Sequence, residues 1–191
     1  MKNILPLSLA LMITITTTSR AQVSQPLEVV PTVDLLRYAG RWFEIARLPN
    51  RFQDQCAGDV TATYTLLDNG NIKVVNRCRN ESGEFEEVEG VAKLADESEP
   101  NSKLKVRFAP AFLSFLPFVW GDYWIIILSP DYSYAVIGEP ARKYLWILSR
   151  TPAMDATQLE DILHRVKEKG YDIGNIIMTN QSEATRSKNG F

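Results

Sequence analysis

Short runs of alternating apolar and polar side chains dominate the chain. The clearest is Val60-Thr-Ala-Thr-Tyr-Thr-Leu66, in which every second residue is a threonine. Alternation of period two sends the two sets to opposite faces of a strand. Asp68-Asn69-Gly70-Asn71 follows, and Asn-Gly supplies the positive backbone dihedrals of a two-residue hairpin turn. Residues 72–78 form the return strand. Similar runs at 41–48, 85–94, 103–108, 123–128, 133–138 and 144–150 bring the number to eight. Eight strands joined mostly by short turns predict an antiparallel meander, hence a barrel or a sandwich. One helix breaks the pattern late. Asp155 stands at its N-cap with Gln158 three residues on, Leu159, Ile162, Leu163 and Val166 make one apolar stripe, and Gly170 is the stop. A short strand at 176–179 follows. An eight-stranded up-and-down barrel removes its own sheet edges and leaves room for one small ligand, with the amphipathic helix packed outside.

Composition narrows the function. The chain has 191 residues, 45% apolar and 23% charged, which suits one globular domain. Its formal charge is −2, and an acidic chain without a basic block is a poor partner for nucleic acid. One histidine and two cysteines rule out a multi-histidine zinc site and a four-cysteine cluster, so no metal or cofactor is expected. Lys2, the mostly apolar run 4–15 and Ser19-Arg20-Ala21 read as a signal peptide over residues 1–21. A retained anchor is the rival, but the run is short of the ~20 apolar residues a span needs. No cysteine lies near the cleavage point to accept lipid. Residues 22–31 read as an extended lead-in, 32–180 as the barrel and helix, and 181–191 as a polar tail. The expected location is exported, periplasmic or extracellular, with peripheral contact at an outer membrane. An oxidising compartment favours a disulfide between Cys56 and Cys78, two separate buried thiols being the alternative. By the chain-entropy estimate such a bridge contributes about 3 kcal/mol.

The motifs carry a resemblance. Gly40-Arg41-Trp42 opens the first strand, Asp131-Tyr132-Ser133-Tyr134 lies between the sixth and seventh, and Arg150 ends the eighth. With 40–46 and 144–152 as the most specific stretches, the chain resembles the lipocalin family over roughly residues 32–181. Within it, the likeness is to the bacterial outer-membrane and plant temperature-induced branches and to apolipoprotein D. The resemblance implies that Trp42 closes the barrel base with Arg150 across its indole, and that Gly40, Trp42, Asp131 and Arg150 are structural. It also implies storage or transport of lipids, for membrane maintenance or stress. Many bacterial relatives carry a lipobox cysteine; its lack here argues against carrying over a lipid tether.

In such a barrel the connections 49–59, 79–84, 109–121 and 139–143 share the open rim. The third of these is unusually apolar: Phe112, Leu113, Phe115, Leu116, Phe118 and Trp120 fall within nine residues. A patch of this kind marks an interaction site. It suits a lid, a foot in a lipid surface or a homodimer contact, against the plain alternative of packing on its own barrel. Alternation places Ala62, Tyr64, Val74, Val88, Gly90, Ala92, Val106, Phe108, Tyr123, Ile125, Val136, Trp146 and Leu148 inward. Of these, Ala62, Tyr64, Val88, Phe108, Tyr123 and Trp146 are the candidate ligand-binding residues. The apolar lining with a few hydroxyls fits a lipid or a similar small hydrophobic ligand. Arg47, Arg51, Arg77 and Arg79 near the rim could meet a carboxylate or phosphate head, solvated arginines being the simpler alternative. His164 and Glu44 lack the partners of an acid–base or nucleophilic set, so no enzyme is expected. A pigment- or lipid-modifying enzyme, or an interaction module working through residues 110–120, are the competing classes.

Overall fold

The computed structural model describes residues 25–182. The expected signal peptide and all but the first two residues of the polar tail lie outside the described residues. The elements are α1 (Leu35–Tyr38), β1 (Gly40–Arg47), β2 (Cys56–Leu66), β3 (Ile72–Asn80), β4 (Phe85–Leu94), β5 (Lys103–Arg107), β6 (Gly121–Leu128), β7 (Tyr134–Gly138), β8 (Leu145–Ser149), α2 (Ala156–Glu168) and β9 (Ile177–Met178). Each of β1 to β7 pairs antiparallel with the next, and β1 also pairs with β8, so the sheet closes on itself. This is the expected eight-stranded barrel with α2 outside. Cys56 begins β2 rather than sitting in the loop before it, because two bulges let the strand run on past Val60. Among the described residues no helix is long and apolar enough to cross a membrane.

The ninth strand does something alternation did not suggest. β1 and β2 pair only from Gly40↔Tyr64 to Phe43↔Thr61, and then separate. A bulge in β1 between Glu44 and Ala46 marks the parting, as does Asp59 in β2, whose φ is +53°. β9 fills the gap as a wedge. It pairs with Ala46 and Arg47, the Thr179 N–H donates to the Ile45 carbonyl, and the Asp59 N–H donates to the Asn180 carbonyl. The Gln181 side chain donates to the carbonyls of both Glu44 and Val60. Backbone groups that would be stranded at the split are thereby satisfied.

Two apolar layers share the wall. The inner one holds Trp42, Tyr64, Ile72, Val74, Ala92, Leu104, Ile125, Ile137 and Leu148. The outer one packs Ile126, Ile127, Val136 and Ile147 against Ile162 and Val166 of α2. Strands β6 to β8 are thus covered on both faces and lose the wet–dry alternation that fixes register. Val136 is the casualty: it was expected inside but lies in the outer layer, opposite Ile127, while Ala135 and Ile137 point inward. The helix is capped as expected, Asp155 accepting from the N–H groups of Thr157 and Gln158, and Gly170 ends it at φ +85°.

The described part of the lead-in, from Gln25, lies along the barrel as a strap that continues to Val33. Val30 donates to the Ile125 carbonyl, the Ser102 hydroxyl returns a bond to the Val30 carbonyl, and the Asn101 amide holds both polar backbone groups of Val33 at 2.8 Å.

Candidate ligand-binding site

The closed end is built around Trp42, which is fully buried. Its indole N–H donates to the Tyr38 carbonyl at 2.8 Å. The Arg150 guanidinium lies 3.8 Å from its ring centroid and donates to the carbonyls of Arg37, Tyr38, Arg41 and Tyr132. A cation over an indole face adds roughly 0.5–2 kcal/mol. Asp131 folds the β6–β7 turn by accepting from the Ser133 N–H and hydroxyl; these bonds hold its carboxyl down at about 2. Gly40 adopts φ +95°, and a Cβ there would meet the Arg150 guanidinium at 3.3 Å.

Above Trp42 stands a floor of three tyrosines. The Tyr123 hydroxyl bonds Tyr38 at 2.7 Å and Tyr64 at 2.8 Å. Burial pushes all three hydroxyls above the usual tyrosine range, so they stay neutral. Tyr64 and Tyr123, expected among the upper ligand contacts, belong to this hydrogen-bonded floor above Trp42.

Four other candidates line the upper half. Ala62, Asn76 and Val88 are cross-strand partners on β2, β3 and β4, two positions above the inward Tyr64, Val74 and Gly90. The outer face of the same strands carries the ion pairs Lys73–Glu89 and Arg77–Glu87, which confirms the assignment. Phe108 leans over Gly90, where a Cβ would meet its ring at 2.6 Å; glycine is required there by the close approach. Although they face inward, Val88 and Phe108 remain 47% and 38% exposed. The upper barrel is therefore open to solvent, while the lower half is filled. On the opposite wall Trp146 stacks on Tyr144 at 6.0 Å, and Tyr144 meets Phe52 at 5.5 Å. Phe52 and Tyr144 escaped the sequence reading, although Tyr144 lies two residues before Trp146 and so on the same face.

A polar cluster faces the same space from β1. Glu44 is buried and accepts from Arg47, Gln53 and Thr179; burial pushes its carboxyl up. Of the other rim arginines, Arg77 pairs outward with Glu87, Arg79 binds Asp59 at 2.7 Å, and Arg51 lies 5.4 Å from the Phe52 ring. Cys56 and Cys78 form the expected disulfide, fastening the β1–β2 connection to the rim. His164 stands exposed on α2 beside Glu168. Among the described residues no cluster of His, Cys, Asp and Glu could hold a metal ion.

The β5–β6 connection carries the apolar loop. Two 3-10 turns, Ala111–Leu113 and Pro117–Val119, repeat every three residues. Phe112, Phe115 and Phe118 share that spacing and are 74–79% exposed. Leu113, Leu116 and Trp120 are half-buried. Trp120 donates to the Ser114 carbonyl at 2.8 Å and sits between Lys93 at 4.5 Å and Arg107 at 5.2 Å. The phenylalanines do not pack on the barrel, so the plain packing alternative fails for them.

A barrel filled at one end, with inward-facing apolar residues exposed near the other, has the architecture of a cup. Residues 33–181 match the family model of the lipocalin-like domain, and the chain belongs to the lipocalin family. Its relatives include temperature-induced lipocalin-1 of Arabidopsis thaliana, 43% identical over 85% of this chain and 87% of that one. The outer membrane lipoprotein Blc of Escherichia coli is 37% identical over 80% and 82%. Apolipoprotein D of Rattus norvegicus is 34% identical over 78% and 77%. Insecticyanin of the tobacco hornworm superposes with a TM-score of 0.63 at 22% identity, covering 85% of this chain and 88% of that one, a likeness of fold. Membership implies binding of a small hydrophobic ligand, and lipocalins are mostly non-enzymatic binding proteins.

Proposed function

We propose that this lipocalin is an exported carrier of single-chain lipids, fatty acids or lysophospholipids, that exchanges its cargo at a membrane surface in membrane maintenance or stress. The observation that carries the reading is the exposure of Val88 and Phe108, inward-facing apolar residues above a filled floor. With Ala62 and Trp146 they form the proposed contacts to the acyl chain, Tyr64 and Tyr123 closing it off below. A sixteen-carbon chain offers on the order of 12 kcal/mol of transfer free energy, at ~0.8 kcal/mol per methylene, before ordering costs remove a large share. Relatives named as an outer membrane lipoprotein and as temperature-induced support the setting.

The exposed Phe112, Phe115 and Phe118 serve as the foot. Insertion of all three would release about 5–8 kcal/mol, enough for reversible docking. Lys93, exposed beside Trp120, suits an anionic surface. Native mass spectrometry of chain purified without detergent tests the carrier role: a co-purified fatty acid or lysophospholipid is expected, and a ligand-free chain that takes up neither overturns it. Replacing the three phenylalanines by Ser should abolish flotation with phosphatidylcholine–phosphatidylglycerol vesicles. Unchanged flotation rejects the foot, and loss of a dimer in its place assigns the loop to self-association.

A further inference from the structure

Arg47 differs from every other arginine near the rim in entering the barrel. Alternation from the inward Trp42 and Glu44 would send residue 46 in and residue 47 out. The bulge between Glu44 and Ala46 reverses this, placing Ile45 and Ala46 in the outer layer and Arg47 opposite the inward Trp146. The guanidinium then turns back along the wall to Glu44.

The hydrogen bonds around it do not balance. Glu44 Oε1 accepts from Arg47 Nη1 at 3.2 Å and from the Thr179 hydroxyl. Glu44 Oε2 accepts from Gln53 Nε2 at 2.6 Å. Gln53 Oε1 accepts from Asn50 Nδ2 at 2.9 Å and Trp146 Nε1 at 2.8 Å. Every side-chain acceptor of Glu44 and Gln53 is thus engaged. A guanidinium has five N–H donors, and Arg47 makes one contact to a side chain among the described residues, while its buried Nε has no partner. A buried donor without an acceptor is costly and calls for one. The residue is 9% exposed, so bulk water is a poor substitute.

We infer that Arg47 anchors the anionic oxygen head of a single-chain lipid, a carboxylate or a phosphate, inside the mouth of the barrel. The inference rests on the carrier reading and names the head group that site selects. The planar donor fork matches such an oxyanion. Glu44 would oppose it if ionised, but burial raises its affinity for a proton, which lessens the repulsion. Phe52, Tyr144 and Trp146 wall this side of the mouth, and Ala62, Val88 and Phe108 leave an apolar path for the chain.

The test uses delipidated full-length chain titrated with myristate, methyl myristate and myristoyl lysophosphatidate below their critical micelle concentrations. Myristate, lysophosphatidate or both should bind about tenfold or more tightly than the ester, and whichever does so identifies the head as carboxylate or phosphate. Glu44→Gln should widen that ratio. The double variant Arg47→Met/Glu44→Gln removes both charges together, so that neither is left buried alone, and should bring the ratio close to one; Arg47→Lys should restore part of it. Circular dichroism checks that each variant is folded. Equal binding of acid, phosphate and ester to the wild type, or a ratio that survives the double variant, overturns the anchor and leaves the carrier reading standing. Failure of all three lipids to bind removes both.

Discussion

The base and the mouth of this barrel use the same residue types for opposite purposes. At the base, Trp42 and Arg150 meet at 3.8 Å with every polar group directed at backbone carbonyls. At the mouth, Trp146 and Arg47 are cross-strand neighbours, yet Trp146 is half-exposed and the Arg47 Nε lacks a partner. One pair has used its bonding capacity on the fold. The other leaves a buried donor unpaired, which costs stability. Side-chain identity alone does not separate the two ends; the partners each side chain finds do.

That contrast sets the order of expected effects. Trp42→Ala should be the most damaging, losing about 3–5 kcal/mol in denaturant unfolding, because it opens a cavity in a filled floor. A wild-type-like midpoint would show that the base is not the keystone. Replacing Cys56 and Cys78 together by Ala should cost about 3 kcal/mol and loosen the β1–β2 connection, read as faster proteolysis near residues 49–55. Next comes a pH effect. Burial raises the Glu44 carboxyl above its usual value of about 4.5, so the folded chain holds that proton more tightly than the unfolded one. Its contribution to stability is complete below the ordinary carboxyl range and is lost as pH rises through the raised value. Glu44→Gln has no such proton, so its stability relative to wild type should improve as pH rises above the ordinary carboxyl range; a flat difference rejects the assignment. The smallest effect is expected at the mouth. Val88→Ser should change stability by about 0.5 kcal/mol or less while weakening lipid binding, the inverse of the behaviour at the base.

Most of the fold was legible in the sequence where one sheet face is wet. In β2 to β5 the charged outer positions, such as Lys73, Arg77, Glu87 and Glu89, mark the register without ambiguity. In β6 to β8 the pattern collapses into Ile125-Ile126-Ile127, because α2 dries the second face, and Val136 was placed on the wrong side. The lipocalin motifs located the base correctly, since Gly40, Trp42 and Arg150 act through local geometry. The candidate site was only half legible. Ala62, Val88, Phe108 and Trp146 followed from alternation, but the inward turn of Arg47 depends on a bulge, and its surroundings depend on Gln53, Asn50 and Thr179 from distant parts of the chain. No local pattern announces an encounter between residues separated by 135 positions in the chain.

The wedge formed by β9 has a consequence for biosynthesis. A cylinder whose seam is zipped by residues 177–182 has a slit beside Glu44 until the segment that follows α2 has emerged. During vectorial synthesis, earlier hairpins can pair while that slit stays ajar. The vessel gains a continuous wall only when this stave arrives, so closure of the seam waits on a segment made after all eight barrel strands.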